Sequence, residues 1–170
     1  MHDVGKIAIP DSILRKPGPL SEDEWQLMKR HTTIGADLLA GSRSPVVQMG
    51  EVIARTHHER WDGSGYPAGL AGEDIPLVGR ICAVADVFDA LISVRPYKAA
   101  WTVEETLGEI ARQSGRQFDP RLAALLLDMG PELTREFGDL RPAPGDVGVL
   151  GFDAAAPSTP RPRASVTERR

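Results

Sequence analysis

The chain has 170 residues, 41% of them hydrophobic, and a formal net charge of −4, so one domain with a real apolar core is the default expectation. Residues 141–170 hold five arginines against three acids, a local +2, which leaves −6 on residues 1–140; that acidic body excludes generic DNA binding through a basic face. No stretch is long and apolar enough for a membrane span and no signal peptide precedes the first motif, while the single cysteine, Cys82, excludes an internal disulfide and fits a reducing cytoplasm.

In chain order, Ser21-Glu22-Asp23-Glu24 is a capping box and opens a helix expected over residues 21–40. Leu27, His31, Ile34 and Leu38 share one stripe of it, and Gly41-Ser42 stops it. A second helix is expected over residues 45–58, with Val46, Met49, Ile53 and His57 on one face. Residues 60–76 contain Gly63, Gly65, Gly69, Gly72 and two prolines without any period. They read as a long loop, and such a loop inside a compact domain is usually functional. A third helix spans residues 77–92, with Val78, Ile81, Ala85, Phe88 and Ile92 toward the core and Cys82, Asp86 and Asp89 on a neighbouring stripe. Thr102-Val103-Glu104-Glu105 caps a fourth helix to residue 113, and a fifth covers residues 119–129 with Pro120 in its first turn. The fold class is therefore all-α, a helical bundle over residues 1–140. Residues 141–170, rich in proline, alanine and arginine, read as a disordered tail.

The histidines carry the chemistry. His2, His31, His57 and His58 are the whole complement of the chain, and three of them stand beside a carboxylate or another histidine. Neutral imidazole is the commonest metal ligand. A His/Asp mixture without a cysteine cluster suits Fe, Mn or another borderline-to-hard ion better than a thiolate zinc site. His2 and Asp3 diverge by about 100° if helical, as do His57 and His58, so neighbours reach different partners. His31, alone on an apolar stripe, is by itself more readily a core histidine bonded to a carbonyl. Asp86 lies in a helix among alanines and valines, where an unpaired carboxylate is costly, so a metal partner is the economical reading; Asp89, one turn on, is placed to orient a ligand. Tyr66, in the Gly63-Ser64-Gly65-Tyr66-Pro67 loop, either touches a base or phosphate or packs against Trp61.

Taken together, His2-Asp3-Val4-Gly5-Lys6, His31-x3-Gly35, His57-His58-Glu59-x2-Asp62-Gly63-x-Gly65-Tyr66-Pro67, Arg80-x5-Asp86-x2-Asp89, Arg95-Pro96-Tyr97-Lys98 and Phe118-Asp119-Pro120 resemble the HD-GYP domain, a subgroup of the HD metal-dependent phosphohydrolases. The resemblance runs from about residue 1 to residue 127. It implies a cyclic di-GMP phosphodiesterase with two or three divalent ions, Fe or Mn. His2, Asp3, His31, His57, His58 and Asp86 would be the ligands, with Asp3 bridging and the linear dinucleotide, then GMP, as products. Lys6 would steady phosphoryl charge, and Tyr66, Arg95 and Lys98 would grip the nucleotide. Family members carry helices ahead of the HD pair that supply further ligands. Here Met1 directly precedes His2, so the domain is read as N-terminally truncated. The alternative is accordingly a catalytically impaired cyclic di-GMP-binding or protein-interaction module with an incomplete metal site, and the expected partners are cyclic di-GMP and a second copy of the chain or a signalling protein.

Overall fold

A computed structural model describes residues 1–93 and 100–138. Among them the architecture is all-α, as expected, with eight α-helices and no strand. After a 3-10 turn at Val4–Ala8 come α1 (Asp11–Leu14), α2 (Glu22–Lys29), α3 (His31–Leu39), α4 (Pro45–Thr56), α5 (Leu77–Ile92), α6 (Val103–Arg112), α7 (Pro120–Asp128) and α8 (Gly130–Phe137). The proposed tail at 141–170 lies outside the described residues.

Both capping boxes form as read. The Ser21 hydroxyl accepts from Glu24 N–H while the Glu24 carboxylate accepts from Ser21 N–H, and Thr102 and Glu105 repeat the pattern. The expected helix over residues 21–40 is in fact two helices that meet at Arg30. The cause is local. His31 Nδ1 and the hydroxyls of Thr32 and Thr33 bond the carbonyls of Met28, Lys29 and Arg30, each three residues back. Side-chain donors that take carbonyls in this way compete with the helical ladder and bend it.

The core sits in two clusters. Val84, Phe88, Val103, Ile110, Phe118 and Ala123 join α5, α6 and α7, and Ile9, Ile13 and Met28 form a smaller nucleus with Leu14, Leu20 and Trp25 around α1 and α2. Several expected core positions face outward instead: Leu27, Leu38, Val46, Met49 and Ile81 are all exposed large hydrophobics, and Ala85 is exposed as well. In α4 the buried face is Gly50 and Ala54; in α5 it is Gly79, Ala83, Val84, Phe88 and Leu91. Helices that cross at small residues bury those residues and turn their bulkier neighbours outward. Periodicity finds a stripe but cannot tell which of two adjacent stripes meets the neighbour. α8 lies beyond the last helix expected from the sequence, and Pro131 occupies its first turn.

The tightest crossing positions the amino-terminal motif. The 3-10 turn lies against α3 so closely that a Cβ on Gly5 would stand 2.5 Å from Gly35 N and nearer still to the His31 carbonyl oxygen. Since those atoms are backbone, they cannot swing away. Gly5→Ala should therefore cost about 2 kcal/mol or more of stability through overpacking, read as a lowered midpoint in urea unfolding, whereas Ala8→Gly, at the far end of the same turn, should cost less.

Candidate metal centre

Three elements and one loop corner bring the histidines together. His2 and Asp3 stand at the head of the 3-10 turn, His31 starts α3, His57 ends α4 with His58 next, and Asp86 projects from the middle of α5. Asp3, His31, His57 and His58 form the one group of potential ligands among the described residues whose atoms all lie within 4.8 Å of one another.

Backbone carbonyls decide how two of these rings point. His31 Nδ1 donates to Met28 O at 2.7 Å, and His57 Nδ1 donates to Ile53 O and Ala54 O at 3.0 Å. A carbonyl only accepts, so each neutral ring carries its proton on Nδ1 and presents a bare Nε2. Those two Nε2 atoms lie 3.4 Å apart. Asp3 Oδ1 faces them at 3.6 and 3.8 Å, buried and without a hydrogen-bond donor. Two lone pairs and a carboxylate oxygen thus converge on one buried space, an arrangement that a cation satisfies and a proton network does not. The donor set fits a divalent ion.

The other oxygen of Asp3 faces a second locus. Its Oδ2 lies 3.4 Å from His2 Nε2 and 2.8 Å from Lys6 Nζ, and His2 Nε2 is also 3.5 Å from Asp86 Oδ1. His2 Nε2 is a second buried atom without a conventional hydrogen bond. The six expected ligands therefore divide about Asp3, with His31, His57 and His58 on one side and His2 and Asp86 on the other. Cys82, one turn before Asp86, is half-buried, and burial pushes its thiol up to about 11, so it stays protonated.

Burial sets the charge states. It lowers His31, and with the neighbouring rings it takes His57 down to about 4 and His58 down to about 2. All three are neutral near pH 7, the state that binds metal. His2 moves upward because the Asp3 carboxylate lies beside its ring. Burial pushes Asp3 up, but the neighbouring His2 ring and the Lys6 ammonium overrule it and hold the carboxylate well below its usual range. Asp86 is pushed up to about 6, chiefly by burial.

Tyr66 packs against the centre and not against Trp61. Its ring stacks on His58 at 4.8 Å and 21°, with Trp25 edge-on behind it at 6.0 Å. Trp61 lies instead under the Arg80 guanidinium, 5.8 Å from ring centroid to Arg80 Cζ. Asp89 is exposed one turn beyond Asp86 and adds to the upward push on it. Arg95 and Lys98 lie outside the described residues. The sequence reading missed two acids. Glu59 is 3% exposed, and Asp119 is buried in a 2.7 Å pair with Arg80. Their place inside quoted motifs was the available signal, since a charged residue is seldom fully buried without partners.

Comparison with known proteins gives the family. A family model described as "HD domain" matches residues 1–122. The chain belongs to the HD domain family. The HD-GYP resemblance drawn from its motifs holds within it. Among curated relatives, the cyclic di-GMP phosphodiesterase response regulator RpfG of Xanthomonas campestris is 56% identical over 88% of this chain and 39% of its own length. A 3'3'-cGAMP-specific phosphodiesterase of Vibrio cholerae is 54% identical over 75% of the chain and 24% of its own length. A cyclic di-GMP phosphodiesterase of Thermotoga maritima is 52% identical over 79% and 36%. The HD domain chain thus spans well under half the length of these relatives. A crystal structure of a cyclic GMP-AMP specific phosphodiesterase of V. cholerae superposes with a TM-score of 0.52 over 82% of this chain and 38% of that one, at 23% identity, and shows the shared fold.

The depressed histidines make the metal-free HD domain acid-sensitive. Above pH 6.5, His57 is neutral folded and unfolded alike. As pH falls from 6.5 toward 4 the unfolded chain takes the proton and the folded one does not, which removes on the order of 3 kcal/mol from this residue. Asp86 acts in the opposite sense between about 6 and 3.8, where the folded state holds the extra proton. Urea midpoints from pH 7 to 4.5 should fall more steeply for wild type than for His57→Gln.

Proposed function

We propose that this HD domain hydrolyses cyclic di-GMP at a centre of two divalent ions bridged by Asp3, releasing the linear dinucleotide. The observation that carries the reading is the split of the Asp3 carboxylate, with Oδ1 toward the Nε2 atoms of His31 and His57 and Oδ2 toward His2 and Lys6. In the proposal His31, His57 and His58 hold one ion and His2 and Asp86 the other, Fe or Mn by the hardness of the donors. When bound, such a pair supplies Lewis-acid polarisation of a phosphate oxygen and a water made nucleophilic at neutral pH.

The side chains of the domain do the rest. The carbonyl bonds to His31 and His57 fix both rings before any ligand arrives, so no reorganisation is needed during the reaction. Lys6, only 12% exposed, puts an ammonium where charge grows on the phosphoryl oxygens. Tyr66, stacked on His58 with the Lys29 ammonium 5.9 Å from its ring centroid, is assigned to contact with the nucleotide. Arg95 and Lys98 are assigned to grip of the phosphates or a guanine edge. Further cleavage to GMP would follow if the linear product stays bound. No helix among the described residues is long and apolar enough to cross a membrane, and we place the reaction in the cytoplasm, where a lone thiol such as Cys82 stays reduced.

The test is turnover of cyclic di-GMP with added Mn²⁺ or Fe²⁺, followed by chromatography of the linear dinucleotide, with 3'3'-cGAMP run beside it because relatives carry both names. Asp3→Ala should abolish turnover and lower metal content by elemental analysis. Lys6→Ala should lower kcat on the order of a hundredfold with little change in KM. Cyclic di-GMP bound without turnover under every metal would make the domain a receptor, and equal metal in wild type and Asp3→Ala would remove the bridge.

A further inference from the structure

We propose that Glu59 is a positioning residue of this centre: it braces the loop of residues 63–70 so that Tyr66 lies flat on His58 and holds that ring for a divalent ion. The inference rests on the reading of the histidine corner as a metal site and adds a residue to it. Glu59 follows His57 and His58 directly and is 3% exposed. Its two carboxylate oxygens each accept one backbone donor from the far limb of the loop, Ala68 N–H at 2.7 Å and Leu70 N–H at 3.0 Å. The near limb doubles back as well. Tyr66 N–H donates to His58 O at 3.2 Å, and a Cβ on Gly65 would stand 2.6 Å from both Glu59 Cα and that same oxygen. The loop is thereby tied on both sides of Tyr66 to the residues that carry the imidazoles.

His58 needs such a device more than its neighbours do. His31 and His57 are pinned by backbone carbonyls, whereas His58 is oriented by rings: His57 at 4.1 Å and 43°, His31 edge-on at 5.1 Å and 86°, and Tyr66 at 4.8 Å and 21°. Because His57 and His31 are themselves fixed, Tyr66 is the contact whose placement depends on the loop and decides where the His58 nitrogens point. Only a carboxylate suits position 59. Glutamine has the same shape, but its oxygen would accept from only one of the two backbone N–H groups, and its amide NH₂ would face the other, donor against donor.

The experiment uses the full chain and two readouts. In metal-free protein, the His58 ring protons should resonate upfield under the Tyr66 ring current, and Glu59→Gln should move them back toward ordinary histidine values while far-UV circular dichroism stays helical. In calorimetric titrations with Mn²⁺, Glu59→Gln and Tyr66→Ala should each weaken binding about tenfold or more. The Glu59→Gln, Tyr66→Ala double variant should be no weaker than Tyr66→Ala, because both act through one contact. Ile110→Val, a trim in the distant core, should lower stability without changing affinity. Unchanged His58 shifts in Glu59→Gln, or additive losses in the double variant, would overturn the proposal. Should Glu59→Gln fail to fold, Tyr66→Ala with wild-type Mn²⁺ affinity overturns it equally. If wild type binds no divalent ion, the metal reading falls and the resonance shifts still decide whether Glu59 places Tyr66.

Discussion

Two imidazole lone pairs and a carboxylate oxygen share one buried space, and much of the fold serves to keep them there. Left to themselves these groups repel, or recruit protons and water. The chain prevents both. Carbonyls at the ends of α2 and α4 take the Nδ1 protons of His31 and His57, which leaves no donor for the space between them. These carbonyls lie near helix ends, where the backbone ladder runs out, so the two rings are anchored on helix termini.

The approach of Asp3 depends on backbone touching backbone. The 3-10 turn reaches α3 only because residues 5 and 35 are both glycine; any side chain at residue 5 would meet the His31 carbonyl and the Gly35 backbone. Asp86 arrives by a similar route. A Cβ at Gly79 would stand 3.0 Å from Thr56 Cβ, so α5 can lie close to the end of α4 and deliver its carboxylate to His2. Steric permission and electrostatic need meet at the same positions.

A second layer fixes the loop over the site. Trp61 and Asp62 donate backbone bonds to Gln117 and Arg116, and Arg80 lies between the Trp61 ring and the buried Asp119 carboxylate, which also caps α7. A buried ion pair of this kind contributes more to a single arrangement than to net stability. Here that arrangement sets the outer end of the loop, while Glu59 holds its inner end.

The amino-acid sequence by itself determined the helical class, both capping boxes and the extents of α5 and α6. These depend on residue chemistry and on contacts within four residues, which a linear reading contains. It also placed all four histidines in one constellation, because motif spacing constrains which residues can meet. Tertiary structure alone decided the rest. The break at Arg30 arises from three side chains bonding backward at once. The outward turn of Met49 and Ile81 arises from helices that meet at Gly50, Ala54 and Gly79. The stack of Tyr66 on His58, in place of Trp61, follows from a loop folded back on Glu59. The division of the ligands about the two oxygens of Asp3 depends on atoms from four separate segments, and no spacing along one chain encodes their distances.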